Sequence, residues 1–578
     1  MQQKKSSFFD TKVLGHPLGL FILFFTEMWE RFSFYGMRIL LIQFLIAEVI
    51  LGSPKSGWGW SPEQATALYG TYVMLLYLTP IIGGMVARHI GTRKTIILGA
   101  IILTLGQACM AFEIPVMFYL GLTGLVLGTG FFKPNMPSIL GEMYKSFPEK
   151  KDGAYTIFYM GVNCGAFFGT MLCGYLAETE GWYLGFGLAA LFMALGTLQF
   201  VFAQPMMGNL GLLEDKKNLE EKDTDTDKRN PFTIIDYILI GIVSVLGLLY
   251  AFNDPLSKQN IIDLFSWANT SNMRGQNLII IITLVLFIYL LVSRILRYDK
   301  IVRNRMFGVV ALAIFLIFFF MSFEQGASSL ILVAREYVDR RLDGNSLLTF
   351  NIVNAALTLI PLIIISYVLI KLALKTWKQI ALSNIMLFLC FSLIWGVVIW
   401  MLYTEFTKEA SEITVSWFSI LNSFFVITLA SVVSKIWDSK YNPSAAFKYG
   451  FGLLLVSFGF LIMWLGATTG EDGKISMIFL VMTYLFLTLG ELFISPVGLS
   501  YVSKLVPHRM LALMYGIWYL AIAIAQKVAA TLGGQVEKIA ENYSLGHFFL
   551  LFTIIPATAG LLVMLLNPLI KKLMQGVK

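Results

Sequence analysis

The sequence predicts an all-α membrane protein with about sixteen spans, on the grounds of composition, long apolar runs and the placement of basic residues. The chain has 578 residues, of which 57% are hydrophobic and 13% are charged, whereas soluble globular proteins average about 25% charged residues. Apolar runs of about 18 residues or more, long enough to cross a bilayer as a helix, recur along the whole chain. A soluble globular protein is therefore excluded.

The apolar runs fall into three groups along the chain. Six runs separated by short loops come first, the polar connector 211–231 follows, two runs come next, and eight more complete the chain. Glycine, proline and charged residues interrupt the apolar pattern between runs, as expected of loops between helices. The predicted spans are 18–50, 62–87, 95–113, 116–141, 153–177, 183–204, 232–252, 276–296, 307–333, 346–370, 379–403, 412–435, 447–467, 475–503, 510–537 and 546–570.

Basic residues are concentrated on one side of the predicted membrane. Roughly 30 of the 43 lysines and arginines fall in loops on the side of the N-terminus, and such an excess marks the cytoplasmic face. An even number of spans places both termini there. Because these residues lie in separate short loops, the net charge of +8 does not indicate nucleic-acid binding. The four cysteines lie in apolar runs and show neither disulfide nor metal spacing.

Eight charged residues lie deep within the predicted spans. Each costs about 2.5–3.5 kcal/mol at the bilayer centre, so eight unpaired charges together would exceed the stability of a typical protein. The two signs are balanced, which favours pairing or contact with water inside a helix bundle. These residues are Glu27, Glu30, Arg31, Arg38, Lys133, Glu324, Glu491 and Lys527.

The first span carries a charged stripe. Glu27, Arg31, Tyr35 and Arg38 follow a spacing of three or four residues, with Glu30 beside them, and therefore share one face of a helix. Ionisable residues inside membranes commonly line substrate or ion pathways, so the stripe predicts a polar cavity. The alternative is an ion-pair clip that only locks helices together.

Six stretches resemble signatures of one family, in the order in which that family carries them. EMWERFSFYG, at residues 27–36, is similar to the first-helix signature of the proton-dependent oligopeptide transporter family, within the major facilitator superfamily. A single match of this length would be weak, but five others extend over most of the chain. GTGFFKPNMPSI, DGAYTIFYMGVNCGAFFG, FFFMSFEQGASSL, GELFISPVGLS and GIWYLAIAIA resemble the fourth, fifth, seventh, tenth and eleventh core helices.

The resemblance implies a major facilitator fold with two six-helix bundles and two extra helical hairpins. Residues 1–204 would form the N-terminal bundle and 301–578 the C-terminal bundle. Residues 205–300 would hold a cytoplasmic connector and an inter-bundle hairpin, as bacterial peptide transporters commonly do. A second hairpin, 346–403, would be inserted in the C-terminal bundle, and we expect it at the periphery because it lacks deep charges.

The resemblance also implies a function, which is proton-coupled uptake of di- and tripeptides across the bacterial cytoplasmic membrane by alternating access. The peptide substrate, protons and the lipid bilayer are then the partners, and we expect a proton gradient and no cofactor. The alternative is the same machine carrying an amino acid, nitrate or a glycoside. An intramembrane zinc enzyme is disfavoured because the sequence has no HExxH pattern.

A peptide carries an ammonium and a carboxylate, so its site needs a cation and an anion that face one cavity. Arg38 and Lys133 are the candidate cations, and Glu324 and Glu491 are the candidate anions. We expect the pairs Arg38–Glu324 and Lys133–Glu491 to form across the two halves. Amides for the peptide backbone, and polar or aromatic groups for its side chains, complete the candidate substrate site: Tyr35, Tyr77, Asn163, Asn422, Ser495 and Trp518.

The resemblance assigns roles to the charged residues. In the family, the cations that match Arg38 and Lys133 meet the peptide carboxylate, and the glutamate that matches Glu491 meets the peptide amine. The residues implicated in proton coupling match Glu27, Glu30, Arg31 and Glu324.

Simpler interpretations stay open for several single residues. Trp518 is equally consistent with a packing aromatic, and Asn163 and Asn422 with hydrogen bonds that hold helices together. Ser495 is consistent with relief of a proline kink. Lys527 has no counterpart in the family signatures, and we expect it to pair with a polar group on a neighbouring helix and not to touch substrate.

Overall fold

The protein is almost entirely helical over the residues that its computed structural model describes, which are 12–13, 15–145, 150–213, 230–271, 273–437, 443–470, 473–506 and 511–575. Most of the predicted connector lies outside these residues. The first eight helices are α1 (Leu18–Ile46), α2 (Pro62–Leu78), α3 (Pro80–Ile90), α4 (Thr92–Met110), α5 (Pro115–Phe132), α6 (Asn135–Met143), α7 (Lys151–Thr179) and α8 (Trp182–Ala203).

Local sequence signals explain where these helices begin. Ser61 and Gln64 form a capping box at the start of α2, in which each side chain satisfies a backbone N–H. Prolines occupy the first turn of α2, α3 and α5, where the missing N–H has no helical partner to lose. Gly91 turns the chain between α3 and α4 at a φ of 90°, a conformation that favours glycine.

The later helices follow a 3₁₀ turn at Gln204–Met207, and three pairs of very short strands join loops near the ends of the bundle. The strands are β1 (Lys12–Val13), β2 (His16–Pro17), β3 (Val338–Asp339), β4 (Arg341–Asp343), β5 (Ala410–Glu412) and β6 (Ile475–Ser476), paired β1–β2, β3–β6 and β4–β5. The helices are α9 (Ile234–Lys258), α10 (Gly275–Ile295), α11 (Lys300–Phe323), α12 (Ser329–Glu336), α13 (Gly344–Phe406), α14 (Val415–Trp437), α15 (Ala445–Thr469), α16 (Met477–Leu505), α17 (Leu511–Gly533), α18 (Val536–Asn542), α19 (Leu545–Leu565) and α20 (Asn567–Leu573).

The predicted number of spans is confirmed over the described part of the chain. Fourteen helical segments are long and apolar enough to cross a membrane. Helix α1 adds one, since only its charged stripe lowers its hydropathy. A break at Ile380 divides α13 into two arms, and hydrogen bonds from Asn351 to Glu405 and from Trp395 to Ser366 show that the arms run antiparallel. The total is sixteen.

Two halves make up the bundle, one formed by α1–α8 and the other by α11, α12 and α14–α20. Within the halves, α1 packs against α7, and α15 packs against α16 and α19. Between the halves, α2 packs against α17, and α7 packs against α14. We call the end with loops 47–61 and 407–414 the upper end, and the end with loops 208–213 and 296–299 the lower end.

The described contacts between the halves close the upper end. Glu178 of α7 accepts a hydrogen bond from the backbone N–H of Val415 at 2.7 Å. A methyl group on Gly70 would lie 2.5 Å from the Ala530 Cβ, so α2 and α17 touch closely there. Among hydrogen bonds and ion pairs between described residues, none joins the halves below the level of Arg38.

The two hairpins both pack against the N-terminal half. The first, α9–α10, lies on α2, and the second, α13, lies mainly on α8. The buried face of α13 includes Asn351, Asn354 and Thr358, whereas Ile363 and Tyr367 on the opposite face are exposed. The second hairpin is therefore peripheral, as expected, but its neighbours belong to the half opposite to the one that flanks it in sequence.

Candidate functional site

Two of the deep charges lie where a membrane helix is interrupted. Lys133 follows the last residue of α5, directly before Pro134, and α6 then continues the same span. Glu324 begins the short 3₁₀ helix Glu324–Ala327 between α11 and α12. Broken helices at membrane depth are tolerated where they are buried in protein or line a cavity, and binding sites of transporters often lie at such breaks.

The stripe on α1 brings two carboxylates to one guanidinium. The Arg31 Nε atom lies 2.8 Å from a Glu27 oxygen and 2.9 Å from a Glu30 oxygen, and all three side chains are buried. Since Nε carries a single hydrogen, it bonds to Glu27, and the Glu30 Oε2 atom has no hydrogen-bond partner. Lys133 interacts electrostatically with all three residues and supplies the second positive charge.

Arg38 joins the two halves of the molecule. Its Nη2 atom forms an ion pair with Glu324, as predicted, and its Nε donates a hydrogen bond to the Tyr69 hydroxyl at 2.7 Å. The other Glu324 oxygen accepts a hydrogen bond from Gln526 at 2.6 Å. Each charged group of the pair therefore has a second, neutral partner that fixes its orientation.

Glu491 and Lys133 are not paired with each other in this conformation. Glu491 accepts a hydrogen bond from Asn422 at 3.0 Å, and Asn422 also lies 3.1 Å from the Thr488 hydroxyl. The Lys133 Nζ atom lies 4.7 Å from the centre of the Tyr77 ring, a cation–π contact. Among the described residues, no ion pair involves Lys133 or Glu491.

Two of the four charged candidates, Arg38 and Glu324, border one space, and the other two lie in electrostatic range of its lining residues. A cavity of ≈ 80 Å³ is lined by residues of both halves, among them Tyr35, Arg38, Glu324 and Asn422. Tyr35 lies in electrostatic range of Arg38, Glu324 and Glu491, and Lys133 lies in range of Arg38. A cation from the N-terminal half and an anion from the C-terminal half therefore meet at a shared cavity, and Lys133 and Glu491 lie near it.

The remaining candidates have varied surroundings. Asn163 is buried and donates a hydrogen bond to the Tyr159 carbonyl of its own helix at 3.0 Å, and among the described residues its amide forms no hydrogen bond to another helix. Ser495 is half-buried on α16. Trp518 is buried against Gly498, where an added methyl group would lie 2.2 Å from its ring, which agrees with the packing interpretation.

Sequence reasoning missed three polar neighbours of the charged groups. Tyr69 and Gln526 hold the Arg38–Glu324 pair, and Thr488 supports Asn422. Tyr69 lies two helical turns before Tyr77 on the same helix, a spacing that places the two on one face. That spacing was the available signal, because neutral polar side chains are common in membrane helices and do not stand out as charges do.

The arrangement is suited to a ligand that carries both charges. Arg38 and Lys133 can donate charge-assisted hydrogen bonds to a carboxylate or phosphate, and Glu491 can accept them from an ammonium. The paired carboxylates of α1 can take up and release protons.

Comparisons with known proteins agree with this geometry. The sequence model of the POT family matches residues 93–400 and 381–550. Peptide transporter YePEPT of Yersinia enterocolitica is 30% identical over 537 residues, which cover 90% of this chain and 88% of that protein. A di-/tripeptide transporter of Lactococcus lactis subsp. cremoris is 28% identical, with 98% of both chains covered. A crystal structure of a peptide transporter POT in complex with sulfate matches with a TM-score of 0.70 and 27% identity, over 98% of this chain and 97% of that one.

The similarity is not confined to one half of the molecule. The family match begins in α4 and ends in α19, so it includes helices of both halves and both hairpins, although it begins after α1. The chain therefore belongs to the POT family, the proton-dependent oligopeptide transporters that its six sequence stretches resemble.

Proposed function

We propose that this protein carries di- and tripeptides together with protons across the bacterial cytoplasmic membrane by alternating access, with its upper end outside and both termini in the cytoplasm. The observation that carries the proposal is the ion pair between Arg38 and Glu324, which joins the two halves at the wall of the shared cavity. A ligand or a proton that breaks this pair weakens the closure of the upper end. The names of the relatives, which include peptide and di-/tripeptide transporters, support the substrate class.

Peptide binding follows from the charges in and around the cavity. The peptide carboxylate binds Lys133 and Arg38, and Lys133 is available because no described acid is paired with it. The peptide amine binds Glu491, whose position Asn422 fixes through a hydrogen bond at 3.0 Å. A site with a fixed cation and a fixed anion selects zwitterions of suitable length and leaves the peptide side chains largely unspecified.

Proton coupling follows from the crowding of acids around one guanidinium. Glu27 and Glu30 share the Nε atom of Arg31, so a proton on either carboxylate relieves the repulsion between them. A proton on Glu324 removes its ionic attraction for Arg38 and frees the two halves to separate at the upper end. Proton binding and opening of the upper end therefore favour each other.

Uptake of labelled dialanine tests the proposal. The purified protein is placed in vesicles, and uptake is measured with and without an imposed pH gradient that is acidic outside. We expect gradient-driven uptake that unlabelled tripeptides inhibit and single amino acids do not. Glu491→Gln keeps the shape of the side chain but removes the charge that meets the amine, and we expect it to abolish uptake.

The matched control is Glu409→Gln, which removes an exposed carboxylate near the upper end. We expect this variant to take up dialanine at the parent rate. Uptake that ignores the pH gradient would exclude proton coupling. Inhibition by amino acids and not by tripeptides would show that the substrate is another small solute. Parent-like uptake by Glu491→Gln would show that Glu491 does not bind the substrate.

A further inference from the structure

A second cluster of buried charges lies outside the cavity, around Lys527 of α17. The Lys527 Nζ atom lies 2.6 Å from Asp254, and it donates hydrogen bonds to the Thr71 hydroxyl at 2.8 Å and the Ala67 carbonyl at 3.0 Å. Lys527 is only 4% exposed and Asp254 only 2%. The ammonium therefore donates two hydrogen bonds to α2 and forms an ion pair with α9, so its partners belong to two other elements.

The first hairpin is fixed to the N-terminal half independently of Lys527. Thr71 of α2 donates a hydrogen bond to the Ala251 carbonyl of α9 at 2.7 Å, and Gln64 of α2 donates to the Lys258 carbonyl at 3.0 Å. Asp254 is thereby carried on the N-terminal half, although it belongs to neither bundle. Among the described residues, its pair with Lys527 is the single ion pair between α9 and the C-terminal half.

The cluster continues to the upper surface. Lys258 lies 3.2 Å from Asp254 and 3.9 Å from Glu63 of α2. Glu63 in turn pairs with Lys538 of α18, in the C-terminal half. Two ion pairs thus connect the α17–α18 segment to α9 and α2. The Lys527–Asp254 pair is buried, and the Lys538–Glu63 pair lies near solvent.

Opening of the upper end must separate these groups. When α17 moves away from α2, Lys527 leaves Thr71, and because α9 is anchored on α2, it leaves Asp254 as well. Two buried charges then lose their partners, which is strongly unfavourable until water or another group reaches them. The cluster is compatible only with a closed upper end.

We propose that Lys527 and Asp254 form a latch that holds the upper end closed, and that the first hairpin takes part in the conformational cycle through Asp254. This inference rests on the proposed function for the existence of that cycle. The latch differs from the Arg38–Glu324 pair because neither of its residues lines the ≈ 80 Å³ cavity. It acts on the equilibrium between conformations and not on substrate binding.

Cysteine labelling tests the latch without requiring transport. Ser416, at the α7–α14 contact of the upper end, is 0% exposed, and Ser416→Cys is introduced after the four native cysteines are replaced. The full-length protein in detergent is treated with a maleimide. We expect Lys527→Met to raise the labelling rate about tenfold or more, because removal of one partner of a buried pair costs more than the free energy that corresponds to a factor of ten. Asp254→Asn should have a similar effect.

A double variant separates the latch from a general loss of packing. Lys527→Met with Asp254→Leu removes both partners of the same pair, so we expect its labelling rate to match that of the single variants and not the product of their separate effects. The control is Lys408→Met, which breaks a pair at 2.7 Å between the end of the second hairpin and the loop that follows it and should leave labelling unchanged. If Lys527→Met does not fold, Asp254→Asn alone decides the matter.

Parent-like labelling of Lys527→Met or Asp254→Asn would overturn the proposal, as would fully additive effects in the double variant. The two proposals fail separately. Absence of dialanine uptake by the parent protein refutes the transport function, whereas the labelling rates report on the upper end whatever the substrate is.

Discussion

A single methyl group at Gly165 tests a close helix contact of the N-terminal half. An added Cβ would lie 2.2 Å from the Met28 carbonyl oxygen and 2.9 Å from the Arg31 Cβ. Carbon and carbonyl oxygen atoms in helix contacts are normally about 3.3 Å or more apart. Gly165→Ala therefore requires α1 and α7 to separate by about 1 Å, since the obstacle is backbone and cannot rotate away.

The size of the effect follows from two opposing terms. Overpacking of a core typically costs about 1–3 kcal/mol. Replacement of a helical glycine by alanine contributes about 1 kcal/mol in the opposite direction. The same displacement moves Arg31 relative to its partners, and misplacement by about 1 Å can cost a factor of about 100 in rate. We expect a modest loss of stability and a larger loss of uptake.

Gly187→Ala is the matched control. Gly187 lies in the second turn of α8, and no atom outside the backbone of its own helix lies within 4 Å of the position of an added Cβ. The two variants gain the same helix propensity, so their difference isolates the overpacking term, about 1–3 kcal/mol. Thermal unfolding in detergent and dialanine uptake measure it. Equal unfolding midpoints and equal uptake for the two variants would refute the close α1–α7 contact.

Three further predictions concern the upper end, the second hairpin and the N-terminal segment. Glu178→Gln weakens two hydrogen bonds, at 2.7 and 2.9 Å, to backbone N–H groups at the start of α14. It should therefore favour opening of the upper end and raise the labelling rate of Ser416→Cys about tenfold, and an unchanged rate would contradict this. Phe391→Ala removes a ring 5.6 Å from that of Trp29 and should destabilise the protein by about 3–5 kcal/mol; an unchanged unfolding midpoint would show that the second hairpin does not stabilise the N-terminal half. Burial and the charge of Lys150 lower the pKa of His16, so its neutral form is favoured in the folded state and stability falls as pH drops below the unfolded value of about 6.5. His16→Gln should lose less thermal stability than the parent between about pH 7.5 and pH 5.5, and an equal loss would contradict this.

Charge at membrane depth made most of the site predictable. Arg38 and Glu324 stand out in apolar runs, and their cost in hydrocarbon demands a partner of opposite sign. Their neutral partners, Tyr69 and Gln526, carry no comparable signal, because a hydroxyl or amide in a membrane helix is also satisfied by its own backbone. The ion pair was therefore predicted, and the hydrogen bonds that orient it were not.

The partner of Lys527 was missed through a helix boundary. The sequence Asn253-Asp254-Pro255 resembles the end of a helix, because proline disfavours helical geometry in the residue before it, and the predicted span stopped at 252. In the structure α9 continues through Pro255 to Lys258. Asp254 thereby lies inside the helix, where it meets Lys527.

The neighbours of the second hairpin were beyond the reach of local patterns. Asn351, Asn354 and Thr358 are spaced by three and four residues, so a buried polar face on the first arm was visible in principle. Nothing in that spacing distinguishes one bundle from the other. Contact with α8, including the hydrogen bond at 3.0 Å from Ser383 to the Gln199 carbonyl, arises only from the tertiary arrangement.

The unpaired Lys133 and Glu491 bear on how one sequence encodes two conformations. Both predicted pairs join a cation of one half to an anion of the other, yet only Arg38–Glu324 is formed, in a structure whose described contacts close the upper end. A pair that was formed in both conformations would not favour either of them. The predicted Lys133–Glu491 pair is therefore not needed to hold this conformation, whereas the Arg38–Glu324 pair is part of it.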